Sequence, residues 1–330
     1  MILRKRKVIL QFIFSLINLV ITVVSIFTIT NLQASDDQGL IYQDNPNLRS
    51  NWYSEFDRDE KRAFKWIIGA LEKSNTAKLI LVDAKRKASR EGKTLLDIVV
   101  SGQVSLTDLT VVRKFLPESP QKIQYKYDQV VRISSLLTVM QAMTDFIHEF
   151  VHYSYREIKN PYETNLSLAQ FIKHTVEDEG GEAHAAYVEC LVAAELWGKE
   201  NLLESHCQKL KQGKEWNREV VIKDFYKVGK DYDAFVQYFI SRNGRGPASD
   251  SVTNEFPFLS KESSIFVSAA YDLSYPLAAI REYYKVKNTV CINEAKRKNM
   301  LTKMLKVKTN LSGQGEIQRS LATLENKCGI

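Results

Sequence analysis

The chain has 330 residues, 44% of them hydrophobic and 26% charged, with a formal net charge of +7. That composition is ordinary for a globular protein and fits one domain with an added lobe, or two small domains. A charge of +7 over this length is no nucleic-acid footprint, and no nucleic-acid partner is expected.

Residues 1–34 precede the fold. Arg4-Lys5-Arg6-Lys7 is followed by an uncharged apolar run from Val8 to Thr30 and then by Asn31-Leu32-Gln33-Ala34. A basic start, an apolar middle and a small residue before a polar chain describe a secretory signal peptide ending at Ala34. The run is also long enough to cross a bilayer, so residues 8–30 are alternatively an N-terminal membrane anchor with the basic end in the cytoplasm. Either way the remainder is expected to be exported, periplasmic or extracellular. The N-terminal segment is then the contact with the inner membrane or cell envelope.

Residues 35–56, with Asn45-Pro46-Asn47, read as a polar linker. The spacing of Phe64, Ile67, Ile68 and Leu71 predicts an amphipathic helix over 57–74. A second helix is expected over 76–90, closed by Gly92. Residues 94–101 and 106–114 read as strands joined by a Gly-containing turn. From Lys122 to Tyr127 the chain alternates, with Ile123, Tyr125 and Tyr127 on one face. A helix is then expected to begin between Gln129 and Leu136.

That helix carries the chemistry. His148, Glu149 and His152 spell H-E-x-x-H within apolar neighbours Phe146, Ile147, Phe150 and Val151. On a helix His148 and His152 lie one turn apart on one face, so both imidazoles can reach one metal ion. Glu149 stands beside them, where a carboxylate can take a proton from a metal-activated water. A third protein ligand is needed, and Glu182, thirty positions after His152, is the candidate. Glu179, one turn earlier, is the alternative third ligand. Val176, Gly180, Ala183, Tyr187, Cys190, Ala194 and Trp197 recur at three or four, predicting one helix through this region.

At these residues the chain resembles the gluzincin metallopeptidases, the group that includes thermolysin-like and aminopeptidase-N-like enzymes. The stretch Glu182-Ala-His-Ala-Ala-Tyr-Val-Glu189 is similar to the segment around that group's third ligand. The resemblance spans residues 122–197. It implies Zn2+ as cofactor, His148, His152 and Glu182 as ligands and Glu149 as general base. It departs in the longer spacing to Glu182. It departs again at Ala186, where many relatives carry an acid that orients a ligand. In that group a strand beside the cleft pairs with an extended peptide, and Lys122–Tyr127 is the candidate here. His174, Tyr155 and Tyr187 are candidate transition-state donors, because zinc hydrolases often add a Tyr or His that hydrogen-bonds the developing oxyanion. His184 lies on a different helix face and reads as structural.

After Trp197 the chain is helical and basic, with an apolar Tyr-rich helix over 263–284 interrupted near Pro276. Residues 285–308 carry eight cations against Glu294, a pattern typical of a solvated helix face. Cys190, Cys207, Cys291 and Cys328 are candidate disulfide partners, with three connectivities open.

The expectation is an α+β, predominantly helical, zincin-like fold. Residues 57–198 form the metallopeptidase domain, with a small sheet before the metal helix. Residues 199–330 form an all-α C-terminal lobe. The expected activity is zinc-dependent hydrolysis of a peptide or protein substrate outside the cytoplasm. One alternative is a non-catalytic envelope protein with a structural or degenerate metal site and a partner-binding lobe. Another is a metal hydrolase acting on something other than peptide. A fourth protein ligand, Glu179 or His174, would close the site and favour the non-catalytic reading.

Overall fold

The computed structural model describes residues 46–116, 119–202, 205–207, 216–242, 249–268, 270–307 and 314–328. The expected export segment, residues 1–34, and the first half of the expected linker, 35–45, lie outside them; the second half is no polar linker, since Leu48, Trp52 and Phe56 are buried in the core. No described helix is long and apolar enough to cross a membrane. The fold is α+β and mostly helical, and the described residues pack as one compact unit.

Helices α1 (Glu60–Leu71) and α2 (Asn75–Arg90) start at Asp59 and Ser74, whose side chains accept from the backbone amides of Arg62 and Ala77. Helix α1 buries Ala63, Phe64, Ile67, Ala70 and Leu71, and each such Phe or Leu contributes roughly 1.5–3 kcal/mol.

The expected strand over 94–101 is only half a strand. Asp97 accepts from the Thr94 amide at 2.8 Å and from its hydroxyl at 2.7 Å, and this box turns Leu95–Ile98 into one helical turn. Strand β1 (Val99–Gly102) follows, then β2 (Leu106–Leu116) and β3 (Ser119–Ser134). Their order is β1-β3-β2, with β1 parallel and β2 antiparallel to β3. The alternating segment Lys122–Tyr127 therefore lies in β3, paired with β2 from Val111↔Tyr127 to Phe115↔Ile123. Strand β2 lies at the sheet edge, against the helix that carries Glu149.

Because β3 runs to Ser134, helix α3 (Val139–Tyr155) begins later than its apolar pattern suggests. Thr138 and Gln141 cap it reciprocally, at 3.3 Å and 3.1 Å. The single helix expected from Val176 to Trp197 is two. Helix α4 (Leu168–Val176) ends before a turn in which Gly180 has φ +76°, and helix α5 starts at Glu182 and runs to Trp197.

The C-terminal part holds α6 (Arg218–Phe225), α7 (Tyr232–Arg242), α8 (Tyr275–Val307) and α9 (Gln314–Cys328). It is not all-α, since β4 (Val267–Ser268) pairs with β5 (Leu273–Ser274) immediately before α8. Pro276 does not interrupt a helix. It sits in the first turn of α8, where its missing N–H has no partner to lose.

Two apolar cores meet on α5. Ala185, Val188 and Val192 pack into the first, with Phe64, Phe146 and Phe150. Ala183 and Ala186 pack into the second, with Phe225, Phe235 and Ile280. The start of α5 thus lies on the seam between the cores, beside α3.

Candidate metal centre

His148 and His152, one turn apart on α3, both point at the first residue of α5. Each Nε2 lies 3.4 Å from Glu182 Oε2, and the three ligand atoms lie within 4.8 Å of one another. Zinc–ligand bonds of about 2.0–2.1 Å at tetrahedral angles separate neighbouring ligands by about 3.4 Å. The two His–Glu separations match that spacing, so the donor set and its geometry suit a zinc ion. Position one of a helix also suits an anion, because the unpaired N–H groups there carry partial positive charge.

The tautomers follow from the hydrogen bonds. The Gly180 carbonyl can only accept, so His152 Nδ1 donates to it at 2.8 Å and turns Nε2 toward Glu182. Arg156 Nη2 lies 2.9 Å from the same Nδ1, but its guanidinium already donates to the Gly180 carbonyl and to Glu182 Oε1, whereas Nδ1 is the ring atom facing that carbonyl at 2.8 Å. Likewise His148 Nδ1 donates to Glu189 Oε2 at 2.9 Å. Glu189 is buried, two turns after Glu182 on α5. Glu189, one turn beyond Ala186, is thus the carboxylate that orients His148.

Arg156 fixes the far side, donating to the Gly180 carbonyl at 2.9 Å and to Glu182 Oε1 at 3.0 Å. Burial works against a charged Glu182, yet the fields of His152, His148 and Arg156 outweigh it and hold its carboxyl well below the usual range. Burial works equally against a charged His148, but hydrogen bonds to Glu182 and Glu189 hold its pKa well above normal. The proton on His148 must therefore leave when a metal arrives.

Glu149 is buried, and Thr107 of β2 holds it: the hydroxyl lies 2.8 Å from Glu149 Oε2 and 2.9 Å from its backbone carbonyl. The outer edge of β2 thus begins beside Glu149. Two and four residues on, Leu109 and Val111 line a cavity of about 330 Å³, with Pro161, Leu166, Phe171 and Tyr283. Arg156 lines it too, joining cavity and metal centre.

The remaining candidates fall elsewhere. Glu179 is exposed and outside the gathered ligands. His174 pairs with Asp178 at 3.0 Å and lines the cavity rather than the centre, so neither residue closes the coordination. The Tyr155 hydroxyl donates to Asp83 at 2.6 Å and is spent away from the site. Tyr187 packs between the two cores. His184 accepts from the Gly180 amide at 3.1 Å, bracing the turn before α5.

Two further residues lie in the electrostatic field of the site. Tyr275, first residue of α8, has its phenol pushed well up by burial and by the negative fields of Glu182, Glu149, Glu189 and Asp145. Asp145, one turn before Glu149, is pushed up to about 7 by burial and the field of Glu189, against a hydrogen bond from Ser105. Cys190 and Cys207 form a disulfide. Cys291 is also disulfide-bonded, and the side chain of Cys328 lies outside the described residues.

No protein-family model, curated protein or solved structure matches this chain.

Proposed function

We propose that the protein is a zinc-dependent, zincin-like peptidase working outside the cytoplasm. The observation that carries this is the convergence of His148 Nε2, His152 Nε2 and Glu182 Oε2 at zinc-ligand spacing, with Glu149 one residue from a ligand. Zinc held there would polarise a scissile carbonyl and acidify a water molecule. Glu149, positioned by Thr107, accepts the proton of the attacking water and passes it to the leaving amine. Tyr275 donates to the carbonyl oxygen as it gains negative charge. The substrate backbone pairs with the outer edge of β2, and the cavity past Leu109 takes one of its apolar side chains. Disulfides at Cys190, Cys207 and Cys291 support an oxidising compartment.

The test is Glu149→Gln. The variant should bind zinc as the wild type does and lose at least about a hundredfold in cleavage of an unfolded protein substrate. Wild-type cleavage by this variant overturns the reading.

A further inference from the structure

The disulfide joins two residues that each follow a polar partner. Cys190 comes directly after Glu189, and Cys207 directly after His206. Glu189 uses one carboxylate oxygen for His148, at 2.9 Å, while its other lies 3.3 Å from His206 Nε2. His206 stands on a single 3-10 turn, Ser205–Cys207, whose covalent tie to α5 is the Cys190–Cys207 bond. The sulfur bridge therefore delivers an imidazole to the carboxylate that orients a metal ligand.

We infer that His206 is a positioning residue of the metal centre, and that the thiol–disulfide state of Cys190–Cys207 sets the affinity of that centre for zinc. The inference rests on the zinc reading above. Glu189 is buried, and its two carboxylate oxygens face two imidazoles, His148 at 2.9 Å and His206 at 3.3 Å. Held between them, the carboxylate keeps the His148 ring in place, with Nδ1 toward Glu189 and Nε2 toward Glu182. Without His206, one carboxylate oxygen loses its neighbour and Glu189 is free to turn away from His148.

The redox step is ordinary exchange. A dithiol attacks the bridge and gives up two electrons and two protons. The Sγ–Sγ bond breaks, Cys190 and Cys207 become thiols, and the dithiol closes to its own disulfide. The Ser205–Cys207 turn then loses its tether, and His206 leaves Glu189. The enzyme would hold zinc weakly in a reducing compartment and tightly once oxidised.

Free thiols at 190 and 207 would themselves bind zinc beside His206, so the test replaces them. Zinc affinity of the full chain is measured by chelator competition, and Co2+ substitution reports the ligand field. His206→Ala and the double variant Cys190→Ser/Cys207→Ser should each weaken zinc binding by about 10–100-fold and shift the Co2+ spectrum. His206→Gln, whose amide can still donate to Glu189, should restore most of the affinity. Adding His206→Ala to the double serine variant should weaken binding little further, because both act through one contact. Circular dichroism checks that each variant folds. If His206→Ala does not fold, the comparison of His206→Gln with the double serine variant still decides. Wild-type affinity in His206→Ala overturns the inference, as does an equal loss from the serine pair with His206 absent. A wild-type chain that binds no zinc overturns instead the zinc reading beneath it.

Discussion

Gly180 passes the backbone of Arg156 so closely that a Cβ at position 180 would lie 2.1 Å from the Arg156 amide nitrogen. The contact explains why one expected helix is two. The chain must turn at Gly180, in a left-handed conformation at φ +76°, for α5 to start where Glu182 meets both histidines. Gly180→Ala combines a backbone clash with a strained φ. It should cost roughly 2–5 kcal/mol in denaturant unfolding. It should also weaken zinc binding in whatever fraction folds, because the Gly180 carbonyl orients His152. An alanine variant with wild-type stability would contradict this account.

The third ligand is separable from its neighbour by amide substitution. Glu182 lies 3.4 Å from each histidine Nε2, while Glu179 is exposed outside the cluster. An amide is a poor zinc ligand, so Glu182→Gln should lose both metal and activity. Glu179→Gln should keep both within about twofold, as surface changes usually do. Zinc content by atomic absorption, read beside the cleavage rate, decides between them.

What could be read from sequence was local. His148 and His152 are one helical turn apart, so their meeting follows from helix geometry alone, and the apolar residues around them predict that helix. Glu182 followed from a motif, not from periodicity: α5 is apolar nearly all round, and its period ran on through Gly180. The break there needed a contact with Arg156, 24 positions away, that no pattern encodes. Thr94–Ile98 looked like strand because its residues favour strands, while the Thr94–Asp97 box decided for a turn. Strand pairing hid the cleft edge. Lys122–Tyr127 alternates cleanly, but only the register reveals that β2 lies at the sheet edge and carries Thr107 to Glu149. His206 comes to Glu189 from far along the chain through a disulfide, which no local pattern encodes.

Asp145 predicts an acid-side signature of the metal-free protein. Its carboxyl is pushed up to about 7, chiefly by burial. Between the unfolded value near 4 and that folded value, the native state holds a proton that the unfolded chain has lost. This contribution is therefore fully present below about pH 4 and declines as pH rises to about 7. Asp145→Asn should remove the decline. With a chelator present, the variant should gain on the order of 4 kcal/mol over wild type at pH 8 and nothing at pH 4. Parallel unfolding curves for the two proteins across that range would refute the assignment.

Tyr275 offers the sharpest test of chemistry against structure. It heads α8 with its phenol in the combined field of Glu182, Glu149, Glu189 and Asp145, and it is not among the gathered ligands. That field and its burial keep the hydroxyl protonated, the form that can donate. Removing one oxyanion donor typically lowers kcat by about 10²–10³-fold. Tyr275→Phe keeps the ring against Phe225, 5.0 Å away between centroids, so the packing survives. The variant should keep wild-type zinc content and melting temperature, show a near-normal KM, and lose kcat by that factor. Tyr155→Phe should instead leave kcat near wild type and lower stability by about 1 kcal/mol, because its hydroxyl serves Asp83. A kcat loss in Tyr155→Phe with none in Tyr275→Phe would reverse the assignment, returning the donor role to α3.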